Sequence, residues 1–256
     1  MIDIAKHIQV AGGKKIYFAS DFHFGIPDYK SSRERERLVC AWLDAISKDA
    51  QHIFLLGDLF DAWMEYKRVV PKGNVRFLGK LASLTDAGIV ITVFTGNHDL
   101  WMRGYFEKEL GIEVLKHAVN VSINQKIFHI GHGDGLSSME WRYNLMKYIL
   151  HHPICQWLYR RIHPNTGIAI ADFFSRLGPK HKYKDLKMKP DHKEYQIQYA
   201  IQMLKHQRID YFVFGHRHIP LHRKLLNNSE FVNLGDWINY NTYAKFDGNL
   251  MTLEKY

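Results

Sequence analysis

Histidine, aspartate and asparagine recur in five short polar segments, each directly after an apolar run that predicts a buried strand. The fullest segment is Gly96-Asn97-His98-Asp99, which follows the β-branched run Ile89–Phe94. Imidazole, carboxylate and amide groups are all metal ligands, so the pattern predicts a metal centre. In chain order the five segments supply Asp21 and His23; Asp58 and Asp61; Asn97, His98 and Asp99; His132 and Asp134; and His216 and His218.

One such segment alone would be weak evidence. A buried histidine is more often a hydrogen-bonded core residue than a ligand, and Asp61 or Asp99 could simply cap a turn or a helix. Five segments, each after a strand, are hard to attribute to chance. Because sites form at the carboxyl ends of strands in a parallel sheet, we expect the five to converge at one edge of that sheet. The spacings Asp-x-His and His-x-His would place two ligands on one face of extended backbone.

The candidate ligands outnumber what one divalent ion needs. Two ions about 3.5–4 Å apart fit the set better, with one carboxylate shared between them, and Asp58 is the candidate bridge. The donors include oxygen and no thiolate, which favours Mn²⁺, with Fe, Zn and Mg as alternatives. Asp61, Asp99 and Asp134 are predicted to orient imidazoles rather than to bind the ions themselves.

The elements that position the first three segments alternate between strand and helix. Lys15–Ser20, His52–Leu56 and Ile89–Phe94 predict strands, and helical spacing of apolar residues predicts helices over Ser31–Ala50 and Asn74–Asp86. The resulting βαβαβ order predicts a largely parallel sheet with crossover helices.

The rest of the chain divides into a helical stretch and a β-rich C-terminal part. Strands are predicted at Lys126–Ile130 and Asp210–Phe214, and two antiparallel hairpins follow the second of them. Between these strands lie helical segments rich in Trp, Tyr, Leu and Met and a basic run, Lys180–Lys189. We therefore predict a core of residues 1–136 and 207–256 with a helical insertion at 137–206.

Apolar side chains form a broad stripe along the first predicted helix of the insertion. This stripe fits an ordinary core helix and an interfacial element equally well, the latter with an acyl-chain pocket and basic residues towards anionic headgroups. Its apolar members are Leu145, Met146, Ile149, Leu150, Ile154, Trp157 and Leu158, and the basic residues around it are Arg142, Lys147, Arg160 and Arg161.

The charge balance narrows the class of partner. A net charge of +9, from 35 basic and 26 acidic residues, favours nucleic acid, an anionic membrane surface or a phosphorylated substrate. No aromatic and basic strand platform is evident, which disfavours nucleic acid. There is no run of about 18 apolar residues and no signal-peptide core in Met1–Val10, so we expect a soluble or peripheral protein. Two cysteines, Cys40 and Cys155, are too few for a disulfide framework and favour a reducing compartment.

Taken together, the five segments resemble the five sequence blocks of the calcineurin-like metallophosphoesterases. The blocks are Asp21-x-His23, Gly57-Asp58-x-x-Asp61, Gly96-Asn97-His98-Asp99, Gly131-His132 and Gly215-His216-x-His218. The resemblance implies an α/β protein with a four-layer α/β/β/α core, and a hydroxide that bridges two divalent metal ions as the nucleophile. It assigns the metals to Asp21, His23, Asp58, Asn97, His132, His216 and His218.

A narrower resemblance is to the UDP-2,3-diacylglucosamine diphosphatases of lipid A biosynthesis. It is carried by Gly57–Trp63, His132–Asp134, His152–Trp157 and Leu234–Trp237. It implies Mn²⁺-dependent hydrolysis of the pyrophosphate bond of UDP-2,3-diacylglucosamine to lipid X (2,3-diacylglucosamine 1-phosphate) and UMP, with the insertion as a lid over the acyl chains. It also implies a lipid-linked sugar nucleotide as substrate and a Gram-negative cytoplasmic enzyme, peripheral on the cytoplasmic face of the inner membrane. Where that family has arginine after the third-block asparagine, this chain has His98.

His98 follows a ligand without being needed as one. We predict that it stabilises developing charge or protonates the leaving oxygen, while Asp99 holds its ring in the required tautomer. Asn97, His98 and His216 are the predicted substrate contacts. Two alternatives stay open: hydrolysis of a soluble nucleotide, and a non-catalytic binding scaffold. An apolar tunnel that opens onto the metal edge would favour a lipid, whereas a polar cleft would favour a soluble nucleotide.

Overall fold

The computed structural model describes residues 3–136, 141–176 and 193–256. Within these ranges the helices, numbered α1–α7 in chain order, are Tyr29–Ile46, Val75–Asp86, Tyr105–Glu109, Trp141–His151, Pro153–Tyr159, Pro164–Arg176 and Tyr195–Leu204. The strands, numbered β1–β12, are Lys6–Ile8, Lys15–Ala19, Ala50–Leu55, Val90–Phe94, Glu113–Leu115, Val119–Ile123, Lys126–Ile130, Tyr211–Phe214, Pro220–Lys224, Glu230–Leu234, Thr242–Phe246 and Met251–Lys255.

The described strands form two sheets. The first has the order β12-β11-β2-β3-β4-β5 and the second the order β1-β6-β7-β8-β10-β9. Strands β2 to β5 pair in parallel, as the βαβαβ order predicts. The two C-terminal hairpins, β9–β10 and β11–β12, are antiparallel, which confirms that prediction as well.

The two sheets pack face to face, and helices cover their outer faces. Phe18 and Phe54 of the first sheet meet Phe128 of the second in one buried cluster between them. Alternate residues of the same strands point outward, as pleating requires, and pack against α1 and α2. On the far side, Ile197 of α7 packs with Phe212 on the outer face of the second sheet. The predicted four-layer α/β/β/α core is therefore confirmed.

Helices α4 and α5 expose much of the apolar stripe. Leu145, Met146, Ile149, Ile154, Trp157 and Leu158 are each between 48% and 60% exposed. The stripe is therefore a surface feature rather than the face of a core helix. The helices are anchored at their base, where the indole of Trp101 packs edge-on against Tyr159 and donates to the backbone oxygen of Leu150, 3.0 Å away.

Two other parts of the predicted insertion are helix α7 and the basic run. Helix α7 belongs to the range 137–206 by sequence but packs on the second sheet, so it serves as a core layer. The basic run Lys180–Lys189 lies outside the described residues. Across the part of the chain that is described, no helix combines the length and apolar character needed to cross a membrane.

Candidate metal centre

The five polar segments meet at one edge that the two sheets share. Asp21 Oδ1, after β2, lies 3.5 Å from His218 Nε2, after β8. Asp58 Oδ2, after β3, lies 3.3 Å from His132 Nε2, after β7. Both pairs join one sheet to the other. The sequence predicted that the segments converge, which is confirmed. It placed them at the edge of a single parallel sheet, which is wrong, because the packing of two sheets brings them together.

All seven predicted ligands lie in two groups of mutually close donor atoms. Three atoms of each group lie within 4.8 Å of one another, and Asn97 joins the second through Oδ1, 3.2 Å from His132 Nε2. Asp58 Oδ2 is 3.5 Å from His23 Nε2 as well as 3.3 Å from His132 Nε2, so this carboxylate stands between the groups. The first group is Asp21, His23 and His218, and the second is Asp58, Asn97, His132 and His216.

The spacing and chemistry of these donors fit divalent ions. Ligands about 2.1 Å from a tetrahedral ion lie about 3.4 Å from one another. The ion-pair distances among the donors run from 3.3 Å for Asp58 and His132 to 3.7 Å for Asp21 and His23. Glycine makes room for them: a Cβ on Gly96 would lie 2.2 Å from Asp58 Oδ1. The residues present thus fit a pair of ions held by imidazole, carboxylate and amide groups.

Five of the ligands have left-handed backbone, which L residues other than glycine rarely adopt. Strain of this kind is typical of functional sites. His216 and His218 both have this left-handed conformation, and they fall in different donor groups. The prediction that two ligands separated by one residue lie on the same face of extended backbone is therefore wrong for His216 and His218. The φ values are 57° for Asp21, 44° for His23, 52° for Asp58, 68° for His216 and 56° for His218.

The carboxylates keep two of the imidazoles protonated in the ion-free protein. Burial lowers the pKa of His132, but the carboxylates of Asp58, Asp21 and Asp134 together outweigh burial and raise it to about 10. For His23, burial is outweighed by its pairing with Asp21 and Asp61, which raises its pKa to about 10. A histidine binds a metal through a deprotonated nitrogen, so ion binding must displace these protons.

His98 stands at the rim of the site, with its side chain 21% exposed. Its Nδ1 donates to the backbone oxygen of Asp61 at 2.9 Å and lies 3.5 Å from Asp61 Oδ1. Its ring packs edge-on against that of His23, with centroids 4.8 Å apart. Asp61 is therefore the carboxylate that orients His98. The donor atoms of His98, Asp61 and His23 also lie within 4.8 Å of one another.

Asp99 has a different role from the one predicted for it. Its buried carboxylate accepts the backbone N–H groups of Gly96 at 2.6 Å, Leu59 at 2.8 Å and Asp58 at 3.3 Å. Burial raises the pKa of Asp99 to about 7, against the pull of these donors. Asp99 therefore ties the second polar segment to the third, and the prediction that it holds the His98 ring is wrong. Residues adjacent in sequence point to different sides of this turn.

Two buried residues that the sequence prediction missed hold ligands in place. Asp236 follows β10, and its Oδ2 lies 3.1 Å from Nδ1 of His218, which turns Nε2 towards the first group. It belongs to a sixth strand followed by a polar segment, Leu234–Trp237, and that pattern could have identified it. Arg35 of α1 donates to the backbone oxygen of His23 at 2.7 Å. A single arginine in a helix carries no comparable signal in the sequence.

Gln196 of α7 is a third such residue. It is fully buried, and its Nε2 donates to the backbone oxygens of Gly133 and Gly215, both at 3.0 Å. Its Oε1 accepts from Asn233 Nδ2 at 2.8 Å. The first two bonds join the segment that carries His132 to the segment that carries His216. Gln196 thus fixes the distance between two strands of the second sheet at the point where ligands project.

A polar cavity of about 220 Å³ opens beside His132. Lys116, His117 and Asp134 line it, together with Lys147 of α4, whose Nζ pairs with Asp134 Oδ2 at 2.6 Å. A polar cavity at this edge is the feature expected for a soluble nucleotide. The exposed apolar stripe is the feature expected for a lipid. The polar cavity lies beside the metal centre, whereas the apolar stripe lies on α4 and α5, so each feature concerns a different part of the surface.

We compared the sequence and the structure with those of known proteins. The calcineurin-like phosphoesterase family model matches residues 14–220. A protein of Porphyromonas gingivalis named UDP-2,3-diacylglucosamine hydrolase is 37% identical, over 94% of this chain and 97% of that protein. One of Aliivibrio fischeri with the same name is 25% identical, over 94% and 98%. A solved structure of a dimetal phosphatase from Danio rerio aligns over 95% of this chain and 96% of that chain, with a TM-score of 0.49 and 14% identity.

Proposed function

The chain belongs to the calcineurin-like phosphoesterase family, and we propose that it hydrolyses the pyrophosphate bond of UDP-2,3-diacylglucosamine to lipid X and UMP in lipid A biosynthesis. The observation that carries the reaction type is the pair of donor groups with Asp58 between them. The substrate is supported by the relative with 37% identity over nearly the whole of both chains, whose name includes this compound.

The donor groups would hold two divalent ions, with Mn²⁺ as our choice. Asp21, His23 and His218 form one site, Asn97, His132 and His216 the other, and Asp58 is shared. When bound, the ions would supply an activated water and neutralise phosphate charge. Both groups lie on turns braced by buried hydrogen bonds, which hold the ligand-bearing segments in place.

His98 is the proposed acid, and Asn97, His98 and His216 are the proposed substrate contacts. Because a backbone oxygen only accepts, the bond to Asp61 O means that Nδ1 of His98 carries a proton. Donation to the leaving oxygen then requires a second proton on Nε2. The Asp61 carboxylate, 3.5 Å from Nδ1, balances the charge of that imidazolium. Asp61 therefore positions and supports the acid.

The insertion supports a lipid-bearing substrate and contact with an anionic membrane. The exposed apolar side chains of α4 and α5 lie beside basic ones, and the Arg161 guanidinium sits 4.6 Å from the ring of Trp157. Aromatic and basic residues combined in this way suit a membrane interface. We propose that α4–α6 form the lid, with α7 as part of the core, and that the enzyme is peripheral on the cytoplasmic face of the Gram-negative inner membrane.

Product analysis tests the substrate. Protein stripped with EDTA and reloaded with Mn²⁺ should release UMP from UDP-2,3-diacylglucosamine, and Asp58→Ala should abolish that release. Hydrolysis of UDP-N-acetylglucosamine should be at least about a hundredfold less efficient, because it lacks the acyl chains that bind the insertion. The reverse order of the two substrates would favour the soluble-nucleotide alternative, which the polar cavity beside His132 supports.

Vesicle sedimentation tests the membrane contact. The wild-type protein should sediment with vesicles containing phosphatidylglycerol, and a Trp157→Ser, Leu158→Ser double variant should not. Equal sedimentation of both proteins, or retention of neither, would contradict membrane contact through this stripe.

A further inference from the structure

A second and larger cavity lies where the insertion meets the core. It has a volume of about 740 Å³, within the range of about 300–1,000 Å³ that is typical of sites for small ligands. Residues 65–70 form one wall and residues 102–109 another. Lys116 and Arg160, the latter at the C-terminal end of α5, complete it. The cavity is thus built jointly by the catalytic core and the proposed lid.

The walls of this cavity are strongly basic. Three carboxylates also line it, but Glu65, the buried one, is already occupied: it accepts from Trp63 Nε1 and from the backbone N–H groups of Arg103 and Tyr105. No cation of the wall forms an ion pair with an acidic side chain in the described ranges. A solvated anion is therefore the missing counter-charge. The cations are Lys67, Arg68, Arg103, Lys108, Lys116 and Arg160.

Within the described residues, neither Arg103 nor Arg160 forms an ion pair with a carboxylate, although the charge of Glu65 does act on Arg103. Burial and the positive charge of Arg160 lower the pKa of Arg103, against the opposite effect of Glu65. Arg103 donates to the uncharged Oε1 of Gln156. The Nε of Arg160 is buried and finds no hydrogen-bond acceptor among the described residues. An oxyanion between them would satisfy that donor and relieve the repulsion, and the guanidinium fork matches phosphate.

The basic wall continues to the metal centre. Lys116 lines this cavity and also the smaller cavity that contains His132. We propose that the larger cavity receives UMP once the pyrophosphate bond has been cleaved, with Arg103 and Arg160 on its phosphate, while the acyl chains lie along the lid. Tyr66 and Tyr105 line the same cavity and offer rings on which a pyrimidine can stack. The proposal rests on the function proposed above, because it assigns the UMP product to this site.

Binding of UMP, measured by isothermal titration calorimetry on the Mn²⁺-loaded full-length protein, tests the assignment. Arg103→Gln and Arg160→Gln should each raise the Kd for UMP by about tenfold to a hundredfold, the loss expected for one charge-assisted phosphate contact. Arg37→Gln, an exposed substitution on α1, is the matched control and should leave the Kd unchanged. Lys116→Gln probes the same wall away from the lid and should also weaken binding. Bound manganese should equal that of the wild type in all four variants.

The results separate this proposal from the proposed function. Wild-type affinity for UMP in both arginine variants would overturn the nucleotide site, even where UDP-2,3-diacylglucosamine is hydrolysed. Weaker UMP binding in these variants but not in Arg37→Gln supports the site, even where that substrate is not hydrolysed. A rise in Kd that is equal in the control would contradict the proposal, because it would reflect net charge alone.

Discussion

Replacing Asp99 by asparagine tests which role this buried carboxylate has. One oxygen accepts from the backbone N–H of Gly96 and of Asp58, and the other accepts from Leu59. Asp99→Asn keeps one oxygen and converts the other into an amino group, which cannot accept. With the remaining oxygen towards Gly96, the N–H of Leu59 loses its partner in a site from which water is excluded.

The expected size of the effect follows from that one lost acceptor. A buried N–H without a partner costs about 1–3 kcal/mol. Unfolding entropy of about 2.1 cal/mol/K per residue gives roughly 0.5 kcal/mol/K for a chain of this length, so Tm should fall by about 2–6 °C. Because the network also fixes Asp58 between the donor groups, the affinity for Mn²⁺ should fall about tenfold, as when the hydrogen-bond partner of a ligand is removed.

Thermal unfolding of the EDTA-treated protein and titration with Mn²⁺ measure these two quantities. Asp247→Asn is the control: this exposed carboxylate accepts the backbone N–H groups of Asn249 and Leu250 through a single oxygen, Oδ1, which the amide of asparagine keeps. That variant should lose less than about 1 kcal/mol. If Asp99→Asn left Tm and Mn²⁺ affinity unchanged and lowered only kcat, the carboxylate would act on His98, and the structural reasoning would be refuted.

Three further predictions concern the same edge. His98→Ala should lower kcat by about 10²–10⁴ while both metals remain by elemental analysis, and a parallel loss of metal would make His98 a ligand. Gln196→Leu removes the donor of the Gly133 carbonyl, at about 1–3 kcal/mol, while the Gly215 carbonyl still accepts from Asn233 Nδ2. Tm and Mn²⁺ affinity should therefore fall, whereas exposed Gln202→Leu should change neither. Because the ion-free pKa values of His23 and His132 are raised, their protons leave on binding. Each donor group releases one such proton, so the affinity for each ion should rise by up to about tenfold per pH unit around neutrality, and a Kd independent of pH would contradict this.

The sequence was informative wherever one residue and its immediate neighbours decide the outcome. Apolar β-branched runs followed by glycine and a polar side chain identify a strand and the residue that projects from its end. All seven predicted ligands lie in the two donor groups for this reason. The parallel order of β2 to β5 and the two hairpins were predictable in the same way, from spacing and turn residues.

Contacts between distant segments were decided only by the tertiary structure. Nothing local distinguishes Asp61 from Asp99 as the partner of His98, since the backbone path of the turn sets which carboxylate faces the ring. Gln196 and Asp236 act across segments 18 or more residues apart. The stripe on α4 and α5 is equally apolar whether it is buried or exposed, so its position depends on what packs against it. Periodicity specifies elements and their ends, whereas the pairing of ends across two sheets depends on packing that the linear pattern does not contain.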